Sequence, residues 1–271
     1  MYNVKIIKYQ DSEAQIRFYD KPIFSSKKSD ISFSANDLCS DSGFSSFESS
    51  DSVSDFSVSI KEVDLERSLS NSLKRTKQSI YDITRSNSWE FFLTLTLDPV
   101  KVNRYDYSEC SSKVSKFFQN IKSRKCKDLK YIIVPELHKD GAYHFHGLFS
   151  NCEGLNFVDS GFKDKKGRVI YNFLDYSLGF TTATKVMDTF KVSNYITKYL
   201  TKELVLNTPN KKRYWATRNL DKPVIEKIHY SSKDDFYSYK NSIKSISLSS
   251  KTIKVDVEDY QNTISIYEIK I

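Results

Sequence analysis

Three of the chain's four histidines fall in one stretch, PELHKDGAYHFHGLF, from Pro135 to Phe149. His144 and His146 are separated by a single phenylalanine, and Glu136 stands eight residues before His144. Two neutral imidazoles and a carboxylate make a ligand set for a divalent cation that keeps positions open for substrate oxygens. Mixed nitrogen and oxygen ligation admits Mg²⁺, Mn²⁺ or Zn²⁺, and phosphate chemistry favours the first two. Convergence of the three groups depends on one turn. A three-residue loop at Lys139-Asp140-Gly141 puts Glu136 opposite His144, and period-two alternation brings His146 to the same face. A two-residue turn at Asp140-Gly141 would instead set Leu137 against His144 and scatter the cluster. Only the first turn gives a reason for three polar groups in a hydrophobic strand pair. His138 shares their face under that turn, as an alternate ligand or as part of the loop. The competing reading is a pair of histidines facing water on a surface strand.

A second set lies in VSNYITKYLTKEL. Val192, Ile196, Leu200 and Leu204 recur every four residues, as a buried helical stripe does. Tyr195, Lys198, Tyr199 and Lys202 form a second stripe beside it, on a helix expected from about Val192 to Leu204. A tyrosine phenolate can attack phosphorus, but with a reference pKa of about 10 it is scarce at neutral pH. Neighbouring ammonium groups favour the phenolate and can hold a phosphate oxygen. The structural alternative is two tyrosines flanking a core, with their lysines in water.

Elements with the right periodicity surround these sets. FFLTLTL before Asp98-Pro99 reads as a buried strand, with Thr94 and Thr96 on one face and Leu93, Leu95 and Leu97 on the other. Helical spacing appears over about residues 63–86 and again over 107–122, where Val114, Phe117, Phe118 and Ile121 point inward. LKYIIVPEL and YHFHGLFS are the two strands of the histidine hairpin, and GRVIYNF and FTTATKV are shorter candidate strands. The expected class is α+β: an antiparallel sheet with helices packed on it, plus an extra N-terminal hairpin and extra C-terminal strands.

The domain reading is an N-terminal β-hairpin over 1–24, an acidic Ser-rich segment over 25–59, a catalytic domain over 60–225 and a β-rich extension over 226–271. The Ser-rich segment carries six acidic residues against two lysines, so the rest of the chain holds about +12 against a net charge of +8 for the whole. A basic remainder and a pI near 9.0 suit a polyanionic partner such as nucleic acid. Composition leaves the Ser-rich segment few large hydrophobes, which predicts disorder there. The four cysteines, Cys39, Cys110, Cys126 and Cys152, show no paired spacing, which argues against a disulfide framework or a structural zinc site. No run of about 20 apolar residues and no signal-peptide core is present, so the expectation is a cytoplasmic protein with no membrane partner.

Taken in order, FFLTLTLDP, PELHKDGAYHFHGL and YITKY resemble the three motifs of the HUH endonucleases: a hydrophobic strand, His-hydrophobic-His, and Tyr-x-x-Lys on a helix. Within that superfamily the chain is similar to rolling-circle replication initiators of phage and plasmid type from low-GC Gram-positive bacteria. Its tyrosine follows the histidines, and RYWATRNLDKP follows the tyrosine helix. The resemblance covers roughly residues 60–225. It implies that His144, His146 and Glu136 hold Mg²⁺ or Mn²⁺, that Tyr195 attacks single-stranded origin DNA, and that Lys198 neutralises the charge that develops. The products would be a 5′-phosphotyrosyl link and a 3′-hydroxyl primer in a bacterial host cell. Tyr199 would alternate with Tyr195, as in two-tyrosine initiators, or serve structure only. No G-x-x-x-x-G-K-[ST] motif occurs, so a host helicase and a host DNA polymerase are the expected partners. A single-strand transposase of the same superfamily and a non-catalytic DNA-binding protein are the alternatives.

Overall fold

The computed structural model describes residues 1–10, 12–24, 56–257 and 260–271, with the backbone alone for 56–65. Apart from the backbone of 56–59, the Ser-rich segment expected over 25–59 lies outside the described residues. The chain divides into two compact units. One comprises the described residues of Met1–Phe44 with Lys222–Ile271, and the other those of Ser45–Asp221. Every strand pair in both is antiparallel, and helices accompany both sheets, as the α+β expectation requires.

The first unit is a five-stranded sheet in the order β10-β1-β2-β12-β11. It is built from β1 (Tyr2–Lys8), β2 (Glu13–Ile23), β10 (Val224–Ile228), β11 (Ile246–Val257) and β12 (Tyr260–Lys270), with helix α5 (Lys233–Ser242). The N-terminal hairpin and the C-terminal strands, read from sequence as separate segments, are thus neighbours in one sheet. Their shared core holds Val4, Ile6, Ile16, Phe18, Ile269 and Phe236 of α5. Phe236 is fully buried and stacks on Phe18 with ring centroids 4.5 Å apart. Neither β10 nor α5 is expected from the sequence. β10 is five residues long and α5 is strongly polar, so neither shows a clear hydrophobic period. A Ser232–Asp235 capping box starts α5 instead, satisfying backbone donors at its N-terminus.

The second unit holds a seven-stranded sheet in the order β6-β7-β8-β3-β5-β4-β9. Its strands are β3 (Phe91–Leu97), β4 (Lys130–Leu137), β5 (Tyr143–Ser150), β6 (Phe157–Lys163), β7 (Val169–Phe173), β8 (Gly179–Lys185) and β9 (Trp215–Ala216). Central β3 alternates as its sequence demands. Leu93, Leu95 and Leu97 are buried, at about 2 kcal/mol each, while Phe92, Thr94 and Thr96 stay partly open on the other face.

Helix α2 (Tyr107–Arg124) covers the leucine face with Tyr107, Cys110, Val114, Phe118 and Ile121, spaced three and four apart. Asp106 caps α2 by accepting from the Ser108 and Glu109 N–H groups, and Lys122 and Arg124 suit the dipole at its other end. Phe118 lies 5.1 Å from the Phe149 ring and 5.4 Å from Tyr131, joining α2 to β5 and β4. Helix α1 (Phe56–Arg85) starts earlier than the expected 63 and contacts α3 (Thr189–Ile196) and α4 (Lys202–Asn207). Among the described residues no helix is long and apolar enough to cross a membrane.

Candidate functional site

The face of the seven-stranded sheet opposite α2 carries the polar groups. The β4–β5 hairpin closes through the three-residue loop: His138 N–H donates to Ala142 O (2.9 Å), Gly141 N–H donates to His138 O (2.9 Å), and Gly141 has φ +85°. A left-handed residue at the end of such a loop is what glycine supplies at little cost. The register that follows pairs Glu136 with His144 and Val134 with His146. The close of β5 also needs a glycine, because a Cβ on Gly147 would fall 2.5 Å from the Phe149 ring and 3.1 Å from the Ile132 carbonyl oxygen.

His146 is buried at 5 % exposure, with a partner on each ring nitrogen. Nδ1 lies 3.2 Å from Thr94 Oγ1 on β3, the residue directly opposite it, and Nε2 lies 2.6 Å from Glu136 Oε2 on β4. Three adjacent strands therefore fix one imidazole. The contact with His146 holds the Glu136 carboxyl below the usual carboxylate range, against the opposing effect of its burial. His144 is half-buried, and its ring stacks on His138 at 5.1 Å, while His138 Nδ1 meets Asp140 Oδ1 at 3.2 Å. Burial first, and then the neighbouring His138 and His146, push His144 below the ordinary imidazole value.

Among the described residues no three His, Cys, Asp or Glu side chains are grouped so as to hold a metal ion. His144 turns toward His138 while Glu136 and His146 close on each other. The donor chemistry of that pair nevertheless fits a cation. When Nδ1–H donates to Thr94, Nε2 presents a lone pair to a carboxylate oxygen 2.6 Å away, and two lone pairs so close need a proton or a cation between them. His144 would complete the set by leaving His138.

The tyrosine segment is not the single helix expected over Val192–Leu204. Helix α3 ends at Ile196, a 3₁₀ turn spans Thr197–Tyr199, Leu200 is extended at φ −79° and ψ 94°, and α4 begins after Thr201. Thr201 causes the restart by accepting from Leu204 N–H (3.1 Å) as an N-cap. Ile196, Leu200 and Leu204 are buried nonetheless, so the stripe of apolar residues survives a change of backbone. The polar stripe does not survive whole. Lys202 is drawn into an ion pair with Glu66 of α1, while Lys198 Nζ sits 5.8 Å from the Tyr195 ring centre.

This break sets the two tyrosines differently. Tyr199 lies face to face on His146, with centroids 3.6 Å apart and planes within 9°. Burial, the Tyr195 hydroxyl and the Glu136 charge push its phenol well above the ordinary tyrosine range. Tyr195 meets Tyr199 edge-on at 5.4 Å and is 47 % exposed. Phe92 of β3, which the sequence reading left out of the site, lies 5.5 Å from Tyr195, 6.3 Å from Tyr199 and 5.9 Å from His146. Its signal was present in FFLTLTL, where alternation sets Phe92 on the threonine face. The structure brings Glu136, His146, Tyr199 and Tyr195 into one chain of contacts, keeps Lys198 beside Tyr195, and leaves His144 at its rim.

No curated protein and no solved structure matches the chain. Residues 90–204 match the family model of replication-associated proteins of the ORF2 type, a span that opens just before β3, holds every one of these site residues and supports a Rep-like role in the initiation of replication.

Proposed function

We propose that the chain is a site-specific, single-strand DNA nickase and strand transferase of the HUH type that starts rolling-circle replication. The observation that carries this reading is the docking of YITKY on the histidine hairpin. Tyr199 covers His146, and the exposed Tyr195 stands beside it at the open edge. Tyr195 is the nucleophile. Its phenolic oxygen bonds to phosphorus as the bond from phosphorus to the 3′ oxygen breaks; the phenol gives up its proton and the departing 3′ oxygen gains one. The 5′-phosphotyrosyl link conserves the energy of the phosphodiester, so the reverse transfer rejoins ends without another energy source.

Lys198 lies close enough to the Tyr195 ring to favour the phenolate and to offset charge building on the phosphoryl oxygens. Tyr199, with its phenol held neutral, serves first as the lid on His146, since its phenolate is less accessible than that of Tyr195. Thr94 and Glu136 orient the His146 ring. Mg²⁺ or Mn²⁺, held by Glu136, His144 and His146, would when bound draw charge from the scissile phosphate oxygens. A host polymerase would extend the 3′-hydroxyl, and a host helicase would separate the strands.

The test is incubation of the protein with labelled single-stranded origin oligonucleotides and Mn²⁺, followed by a denaturing gel. A covalent adduct is expected from the wild type and is lost in Tyr195→Phe and on chelation of the cation. An adduct that persists in Tyr195→Phe and vanishes in Tyr199→Phe would overturn the choice of nucleophile. Oligonucleotide binding with no adduct under any divalent cation would make the chain a non-catalytic DNA-binding protein.

A further inference from the structure

Beyond Leu97, the chain leaves the sheet and crosses Pro99–Tyr105 before entering α2. That loop is tightly built. Val102, 1 % exposed, anchors it in the core, its N–H donates to Asp98 O (3.0 Å), and Asn103 accepts from Asp106 N–H through its carbonyl and from Tyr105 N–H through Oδ1, each at 3.1 Å. Beside β5 it fills the place that β3 has vacated, because Tyr143 N–H donates to the Arg104 carbonyl at 2.8 Å. Tyr105 also flanks the turn, 3.8 Å from where a Cβ on Gly141 would stand. Arg104 is therefore held at the residue before His144, on the side of β5 away from Glu136.

Its guanidinium has a donor unspent. The Nε atom is buried and has no hydrogen-bond partner among the described residues. The nearest acid on the turn, Asp140, is engaged with Ala142 N–H (3.0 Å) and His138 Nδ1 (3.2 Å). The Arg104 charge bears on both Asp140 and His144, so the side chain reaches the rim of the site. Leaving a buried donor unpaired costs about 1–3 kcal/mol, more when it is charged, which is unfavourable unless an anion completes the arrangement. A guanidinium fork matches the paired oxygens of a phosphodiester.

We propose that Arg104 is a phosphate-binding residue of this site, gripping a backbone phosphate of the single strand as it passes the histidine hairpin. This rests on the nickase reading for the identity of the anion. Glu136 and Arg104 then flank His144 with opposite charges, one toward a cation and one toward the strand.

Fluorescence anisotropy with a labelled single-stranded oligonucleotide, measured over a range of salt without divalent cation, tests this. Arg104→Gln should weaken binding about tenfold and lower the slope of log affinity against log salt by about 0.7, the loss of one phosphate contact. Arg104→Lys should keep that slope and bind only a few-fold more weakly. Unchanged affinity and slope in Arg104→Gln overturn the proposal. So does an equal loss in both variants with the slope unmoved, which marks a packing role. An effect of Arg104 on binding with no covalent adduct from wild-type protein would sink the nickase reading and keep the contact. An adduct formed by wild type, with binding and slope unaltered in Arg104→Gln, would do the reverse.

Discussion

Each sheet buries a carboxylate beside a polar side chain on a neighbouring strand, and the two arrangements differ in what surrounds them. In the five-stranded sheet Glu268 of β12 faces Gln15 of β2 in register, and the two side chains hydrogen-bond in a buried setting. Gln15 also accepts from Arg17 on the same face. In the seven-stranded sheet Glu136 bonds to His146, an imidazole that can carry or release a proton near neutral pH, and an exposed phenol stands two rings away. The first network is closed by amide and guanidinium groups, which do not change charge near neutral pH. The second contains groups that do, with an open side toward solvent. Burial of a carboxylate alone does not mark a site; its partners do.

The largest expected effect breaks this contrast directly. His146→Ala should lower adduct formation at least about a hundredfold, as expected for removal of a group that holds the reacting centre. Glu268→Ala should leave adduct formation unchanged while costing about 1–3 kcal/mol in urea unfolding, because the Gln15 amide loses its buried partner. Loss of adduct in Glu268→Ala, in folded protein, would end the distinction between the two networks.

A smaller effect should follow from Thr94→Val, which keeps the shape at β3 but removes the hydroxyl 3.2 Å from His146 Nδ1. Adduct formation should fall about tenfold, the lower end for an orienting partner, with oligonucleotide affinity retained. An unchanged rate would mean that the Tyr199 stack and Glu136 suffice to fix the ring.

The smallest concerns the hairpin that sets the register. At Gly141 space is not the constraint, since the nearest side-chain atom to an added Cβ is 3.8 Å away, but φ is +85°. Gly141→Ala should therefore cost about 1–2 kcal/mol through backbone strain, measured by urea unfolding, and Gly141→Asn less. Equal stability of Gly141→Ala and wild type would show that the loop shifts freely and that the turn does not hold Glu136 against His144.

Much of the architecture was legible because it is written in short-range periods. The alternation of FFLTLTL, the helical spacing of α2 and the placing of Gly141 each reflect the geometry of a few consecutive residues. β6 was missed because FVDSGFK is mostly exposed and carries Gly161 at φ +77°, so no hydrophobic period announces it. The break after Tyr199 was missed for the opposite reason: the apolar spacing continues unbroken through Leu200, while the Thr201 cap interrupts the backbone. Arg104 carried no motif at all, since what distinguishes it is an unpaired Nε beside a strand about forty residues on.

By itself, then, the sequence determined which residues share a face: Glu136 with His144 and His146, Phe92 with Thr94, Ile196 with Leu200 and Leu204. Those follow from covalent spacing and the pitch of a strand or helix turn. Only the tertiary structure decided which faces meet. It set Thr94 against His146 by the pairing of β3 with β5, turned His144 toward His138, laid Tyr199 on the imidazole and left Tyr195 in the open. The contacts on His146 reach across 10 to more than 50 positions of the chain, and they depend on register, on ring packing and on a helix that ends at Ile196. No local period encodes them.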